Sequence, residues 1–276
     1  PIDTALAVAA AVRPHYALLA DTIEACPQVT KAHEETMQRV ELSSAVETSI
    51  ELPEAEPFTF LRPYQRIAPV MYGTGNRHRI LIADEMGLGK ALQALACVEQ
   101  AGHERVLIVC PSIVKHNWAN EIEKWIGTYH RHEFASPKII SGWSGEIPPS
   151  RFTIVNYDIL SKRAQHLGAI NFDCIIFDEV HRIKNPKTAV TKAALRLAQG
   201  KAGIIALSGT PITNRPIEFF PVLNMMLPGS FANYFTFAKR YCNARLTQFG
   251  YDYSGSSNID SSNDPTITPL NHILRD

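Results

Sequence analysis

This chain of 276 residues has no net charge: Lys+Arg and Asp+Glu both number 27. A surface for a polyanion must therefore be a local patch and not a global property. It has only five cysteines, Cys26, Cys97, Cys110, Cys174 and Cys242, and no C-x-x-C pair among them. That argues against a disulfide framework or a zinc cluster and for buried free thiols in a reducing compartment. Long apolar runs are missing too. The stretch ALAVAAAV near the start is too short to span a bilayer, and it follows Asp3 and no basic segment, so neither a membrane anchor nor a signal peptide is expected. Internal repeats are absent. The histidines of HRH (130–132) lack a partner at metal-ligand spacing. The first residue is Pro1 and not methionine, which reads as a processed or excised piece.

What remains is ordinary globular composition, 45% hydrophobic and 20% charged, enough for a sizeable core. Residues 1–57 read as a small helical region and linker. Asp3 caps a first helix, a second helical pattern runs from Val29 to Val46, and ELPEAEPF (51–58) breaks periodicity with two prolines. From Phe58 the pattern changes. RILIA (79–83), RVLIVC (105–110), FTIVN (152–156), CIIFD (174–178) and GIIALS (203–208) are apolar, β-branched runs expected as strands. Helical patterns lie between them over Leu92–Gln100, Asn117–Ile126, Ile159–His166 and Thr188–Gln199. Continuous apolar strands alternating with helices predict an α/β fold with a mostly parallel sheet covered on both faces. Ligands in such sheets sit at the C-terminal strand ends. Residues 231–276 form a third region, with a helix expected over Tyr234–Tyr241 and a polar loop in YDYSGSSNIDSSNDP (251–265).

The polar clusters obey the strand-end rule. RILIA runs into DEMGLGK, where Gly87 and Gly89 let backbone N–H groups approach phosphate oxygens and Lys90 can reach a β/γ-phosphate. The pattern departs twice from G-x-x-x-x-G-K-[ST]: Asp84 replaces the first glycine and Ala91 the last hydroxyl. CIIF leads into Asp178 and Glu179, suited to hold Mg²⁺ through water and to deprotonate an attacking water, with His181 two residues on. A G-x-G-K turn can simply join a strand to a helix, and an acid pair can be a solvated strand end. Both together on one sheet favour nucleotide chemistry. Trp118 and Trp125, seven apart on a helix, read as packing residues.

ADEMGLGK (83–90), DEVH (178–181) and SGTP (208–211), in this order, resemble the Swi/Snf-type ATPases of helicase superfamily two. LRPYQ (61–65), CPSIVKHNWANEIEKW (110–125), NYDIL (156–160), HRIKN (181–185) and RYC…YDYSGSSN (240–258) extend the resemblance, which looks closest to the annealing-helicase branch and related bacterial and phage motors. DEVH stands where the family carries its DEAH-like box. The resemblance implies a RecA-like P-loop lobe over 58–230 that uses ATP and Mg. It implies that Arg62 and Gln65 contact adenine, that Asp84, Glu85, Met86, Gly87, Leu88, Gly89, Lys90 and Ala91 form the phosphate cradle, and that Lys90, Asp178, Glu179 and His181 are catalytic, with Asp178 toward the metal. Ser208, Gly209 and Thr210 would couple nucleotide to DNA. Ser112, Lys115, Asn117, Tyr157, Lys184, Asn185 and Asn214 would track a DNA backbone, duplex or branched.

Ala91 departs from the family, which carries Thr there, so weakened Mg²⁺ binding and slow turnover are expected. The chain holds first-lobe motifs only. A second RecA-like lobe, following C-terminally, would supply the arginines, so the lobe alone is expected to be weakly active or inactive. The alternative is a silenced module that binds ATP, DNA or a partner without turnover. A small-molecule P-loop kinase fits poorly, since it leaves SGTP and HRIKN unexplained. The resemblance places the protein in the cytoplasm of a bacterial or phage-infected cell, or in a eukaryotic nucleus.

Overall fold

The computed structural model describes residues 51–54, 57–74, 78–126, 136–209, 216–230, 233–242, 245–247 and 250–252. They belong to one compact unit, Glu47–Ser257. The helices expected before residue 50 lie outside the described residues.

Six strands form one parallel sheet: β1 (His78–Ile82), β2 (Val106–Cys110), β3 (Lys138–Ile139), β4 (Phe152–Asn156), β5 (Cys174–Phe177) and β6 (Gly203–Leu207), ordered β1-β6-β5-β2-β4-β3. The register is continuous through the centre. Ile80 pairs with Ile205 of β6, and Ile176 of β5 pairs with Ile205 on one side and Ile108 of β2 on the other. Every residue of β2, β4, β5 and β6 is buried. This is why these segments read as unbroken apolar runs and not as alternating ones.

Helices α1 (Ile67–Gly73), α2 (Lys90–Gln100), α3 (Lys115–Trp125), α4 (Tyr157–Gly168), α5 (Ala189–Ala198), α6 (Phe220–Met226) and α7 (Tyr234–Tyr241) complete the described α-helices. Alternate strand residues divide between the two faces. Ile80 and Ile82, Ile108 and Cys110, Ile154, Ile176, Ile205 and Leu207 share one core with Tyr72 of α1, Leu95 of α2 and Ile122 of α3. The other face takes α4, which packs on β2 and β4, and α6, which packs on β1, with α5 against α4. Thr188 caps α5 by accepting the Thr191 N–H at 3.2 Å, and Asn233 caps α7 by accepting the Thr236 N–H at 2.9 Å.

Several elements were not foreseen. Helix α1 carries Pro69 in its first turn, where the missing N–H costs nothing, and α6 carries Pro221 in its first turn for the same reason. Strand β3 has only two residues and sits at the sheet edge. A two-stranded antiparallel pair, β7 (Arg245–Thr247) with β8 (Gly250–Asp252), takes in the first two residues of the expected polar loop 251–265. The rest of that loop lies outside the described residues.

Candidate nucleotide-binding site

Between the end of β1 and the start of α2 the chain makes a tight loop. Gly87 and Gly89 have φ of 88° and 75°, which a side chain with a Cβ adopts only at a cost. Gly89 is the N-cap of α2, so the loop leads straight into a helix N-terminus whose free N–H groups and dipole favour an anion. The Lys90 ammonium, a three-proton donor, reaches back to the carbonyls of Asp84 at 2.8 Å and Glu85 at 2.9 Å.

Side chains from two other elements brace the loop. Buried Gln93 of α2 donates to the Asp84 carboxylate at 2.7 Å and to the Leu88 carbonyl at 3.4 Å. Buried Gln65, in the turn before α1, donates to the same carbonyl at 2.9 Å while its own oxygen accepts the Arg62 N–H at 3.0 Å. Both ends of the Gln65 amide therefore serve the loop and its own turn. Arg62, Glu85, Met86, Gly87 and Leu88 are exposed; Asp84, Gly89, Lys90 and Ala91 are half-buried. The side chain of Ala91 is a methyl group packed at the edge of the core and offers no oxygen.

Strand β5 delivers Asp178 and Glu179. The Asp178 N–H closes the sheet onto Val109 O at 2.8 Å, and its carbonyl accepts the Tyr157 hydroxyl at 2.8 Å. Its carboxylate accepts the Trp118 indole N–H at 2.8 Å on one oxygen and the Glu179 N–H at 3.0 Å on the other. Burial raises the Asp178 pKa above the ordinary carboxylate value. The Trp118 hydrogen bond works against that, the Glu179 charge adds to it, and the Glu179 N–H and the Lys90 ammonium oppose it. Glu179 is the single non-glycine residue with positive φ among those described, at 49°, and this turns its carboxylate off the strand line. His181 Nδ1 lies 3.2 Å from the Glu179 carboxylate and 3.4 Å from Ser208 Oγ. Ser208 is fully buried at the end of β6, and its N–H bonds Ile82 O at 3.2 Å. Gly209 sits beside the loop, where an added Cβ would meet Met86.

The residues expected on the DNA side divide. Ser112, Asn117 and Asn185 are exposed and Lys115 half-buried. Lys184 pairs with Glu218 at 3.2 Å. Tyr157 is 3% exposed and its hydroxyl donates to the Asp178 carbonyl, so its side chain is engaged inside the lobe. Thr210 and Asn214 lie outside the described residues. Trp118 is buried in the core, as the packing reading expects, and its indole N–H also donates to the Asp178 carboxylate. Trp125 is half-buried against Phe60, with ring centroids 5.1 Å apart. Apolar helical spacing located both tryptophans on α3 but could not show where an indole N–H points.

Among the described residues no group of three His, Cys, Asp or Glu side chains could hold a metal ion alone. Magnesium in triphosphate sites takes one or two carboxylates together with phosphate oxygens and water. Asp178, half-buried at the end of β5, fits that donor set. No helix among the described residues is long and apolar enough to cross a membrane. Four of the five cysteines, Cys97, Cys110, Cys174 and Cys242, are buried and free.

Residues 64–275 match the family described as SNF2-related domain. The chain is 37% identical over 201 residues to a SWI/SNF-related matrix-associated actin-dependent regulator of chromatin subfamily A-like protein 1 from Xenopus tropicalis, covering 72% of this chain and 21% of that protein. It is 35% identical over 212 residues to the DNA annealing helicase and endonuclease ZRANB3 of Mus musculus, covering 73% and 20%. The chain thus spans about a fifth of the length of these relatives. Among solved structures, the Sulfolobus solfataricus SWI2/SNF2 ATPase core in complex with dsDNA is similar with a TM-score of 0.57 and 28% identity, over 66% of this chain and 39% of that one.

Proposed function

Because the chain belongs to the SNF2-related family, we propose that it is the first, ATP-binding lobe of a DNA-dependent ATPase of helicase superfamily two, a translocase that remodels or reanneals duplex DNA. In this reading residues 58–230 are the lobe, 1–57 a helical preface, and 231–276 the segment leading toward a second RecA-like lobe. One observation carries it. Strands β1, β6 and β5 are parallel neighbours, and their C-terminal ends bring the Lys90 loop, Ser208 and the Asp178–Glu179 pair onto one edge.

The chemistry follows from those groups. The loop N–H groups and the α2 N-terminus bind the phosphates, and Lys90 exchanges its two carbonyl partners for phosphate oxygens. Exposed Arg62 contacts adenine directly, and Gln65 does so by exchanging one of the bonds that hold its buried amide. Asp178 would hold magnesium through water, and that ion, when bound, would supply charge neutralisation at the phosphates. Glu179, turned out by its backbone, orients the attacking water and accepts its proton. His181 touches both Glu179 and Ser208, so a shift at the acid is felt at the end of β6. Ser112, Lys115, Asn117, Lys184, Asn185 and Asn214 make the contacts to a DNA backbone, which fix position and carry little sequence information. The dsDNA in complex with the archaeal ATPase core supports a duplex track. Relatives named for chromatin regulation support a nuclear location.

Arginines from a second lobe are worth about 10³–10⁵ in rate in comparable phosphoryl transfers, so this lobe alone turns over slowly or not at all. Ala91 pushes the same way by removing a metal-side hydroxyl. A second reading, a lobe that binds ATP and DNA with turnover lost, is favoured by Ala91 alone. The test is ATP binding to this chain by calorimetry with and without Mg²⁺, then hydrolysis with and without duplex DNA in a polypeptide that carries both lobes. Magnesium-dependent binding that Lys90→Ala abolishes, with DNA-stimulated hydrolysis, is the expected result. Binding without hydrolysis in the two-lobed protein selects the second reading. No ATP binding at all overturns both.

A further inference from the structure

We propose that Trp118 is a positioning residue for the metal-side acid: its indole N–H fixes the Asp178 carboxylate in the orientation that receives magnesium. This rests on the ATPase reading above and adds to it a residue that does not touch nucleotide.

The carboxylate has one internal donor on each oxygen, Trp118 Nε1 at 2.8 Å on Oδ2 and Glu179 N at 3.0 Å on Oδ1. The main chain of Asp178 is held at both ends, by Val109 O and by the Tyr157 hydroxyl. The backbone is therefore fixed by the sheet, and the Glu179 N–H comes with the turn itself. The remaining freedom is rotation of the carboxylate about its side-chain torsions, and Trp118 is the one donor from outside the β5 segment in contact with it among the described residues. Indole is a donor only, so it accepts no proton and offers the acid a single geometry. A carboxylate has about four lone-pair sites. Two are used by these donors, and the others stay available on a side chain that cannot turn away.

Trp118 is itself held rigidly. It is 3% exposed, on α3, in the same core as Ile122 and Cys110. Its burial explains the tryptophan as hydrophobic payload, but burial does not require the N–H to meet an acid 60 residues away in sequence. A phenylalanine would satisfy packing alone. The role carries more weight here because Ala91 offers no oxygen, which leaves the water-mediated hold of Asp178 as the protein's anchor for the ion on that side.

The experiment compares the two-lobed protein with Trp118→Phe, and with a site-specific replacement of Trp118 by benzothienylalanine. That residue has the shape of tryptophan and sulfur in place of the N–H, so it remains informative if the phenylalanine variant fails to fold. Nucleotide affinity is measured by calorimetry in Mg²⁺ and in chelator, and hydrolysis is followed as a function of Mg²⁺. Expected are a rise of about tenfold or more in the Mg²⁺ needed for half-maximal binding and hydrolysis, unchanged ATP affinity in chelator, and unchanged KM for ATP at saturating Mg²⁺. In the parent, the Trp118 indole N–H proton resonance shifts as Mg²⁺ is added with nucleotide. Magnesium dependence equal to the parent's in the benzothienyl variant reduces Trp118 to packing and overturns the proposal. Equal loss of affinity in chelator does so as well, because it marks general damage to the lobe. If the parent protein binds no ATP, the ATPase reading fails together with this one.

Discussion

Gln93 donates to the Asp84 carboxylate at 2.7 Å, tying the first turn of α2 to the opposite wall of the phosphate loop. The same amide reaches Leu88 O, so a single buried side chain spans the loop's width. Preorganisation of this kind lowers the cost of ordering the loop when phosphate arrives. Gln93→Leu keeps the volume and removes both bonds. It should cost about 1–3 kcal/mol of stability, the usual penalty for a lost bond to a charged, half-buried partner, and weaken ATP binding about tenfold by the same reasoning. Gln93→Glu should be worse at neutral pH, because it places a second carboxylate against Asp84. Calorimetry and thermal melts check both. Loop affinity unchanged in Gln93→Leu would mean that Gln65 alone braces Leu88.

Glu179 combines an acid with a left-handed backbone, φ 49° and ψ 56°. The two can be separated. Glu179→Gln keeps the shape and removes the base, so hydrolysis in the two-lobed protein should fall by roughly 10²–10⁴ while ATP affinity stays within a few-fold. Glu179→Gly should abolish hydrolysis as well, yet leave the melting temperature unchanged or raised. Relief of the left-handed strain, about 1 kcal/mol or more, offsets the entropy cost of glycine, roughly 0.5–1 kcal/mol. A clear fall in melting temperature would show that the glutamate side chain is a structural support here.

Ala91 is half-buried at the first turn of α2, directly after Lys90. Ala91→Thr restores a hydroxyl where the resembled family has one. Magnesium-dependent hydrolysis in the two-lobed protein should rise, with the Mg²⁺ requirement falling by roughly tenfold, the scale on which supporting ligands act. The β-branched residue costs a few tenths of a kcal/mol in helix propensity, too little to mask the gain. An unchanged magnesium requirement would mean that water already fills that ligand position as well as a hydroxyl does.

The sheet was legible because burial on both faces keeps β2, β5 and β6 apolar throughout and leaves β4 only Thr153 and its last residue Asn156 as polar positions, and four of the flanking helices were legible from their period. Ends slipped by one or two residues where capping decided them, as at Thr188. Helices α1 and α6 were hidden by Pro69 and Pro221, since a proline in a first turn looks in sequence like a break. The motif loops were legible because glycine, lysine and paired acids have few other reasons to follow a strand. What links them was not. The bonds from Trp118 and Tyr157 to Asp178, and from Gln65 to Leu88, join residues far apart in the chain. They depend on which way a side chain leaves its helix, and periodicity carries no signal for that.

At the N-terminal edge of the sheet, away from the nucleotide loop, buried His103 meets the Tyr72 hydroxyl at 2.9 Å. Its pKa is lowered from the ordinary 6.5, chiefly by burial; Asp173, 3.8 Å away, partly offsets this, while His78 and Arg151 add to the lowering. The unfolded imidazole therefore takes up a proton at a higher pH than the folded one. Between the two pKa values the unfolded state holds more protons, so stability falls as pH drops below about 6.5 and levels off once the folded imidazole is also charged. Above the unfolded value this group contributes no slope. Thermal melts between about pH 8 and pH 5 should show that loss. His103→Gln, which cannot charge but can still bond Tyr72, should remove this part of the slope while carboxylates continue to supply their own. A slope identical in the variant would mean that the ring takes its proton without leaving Tyr72, and that the buried pair tolerates charge.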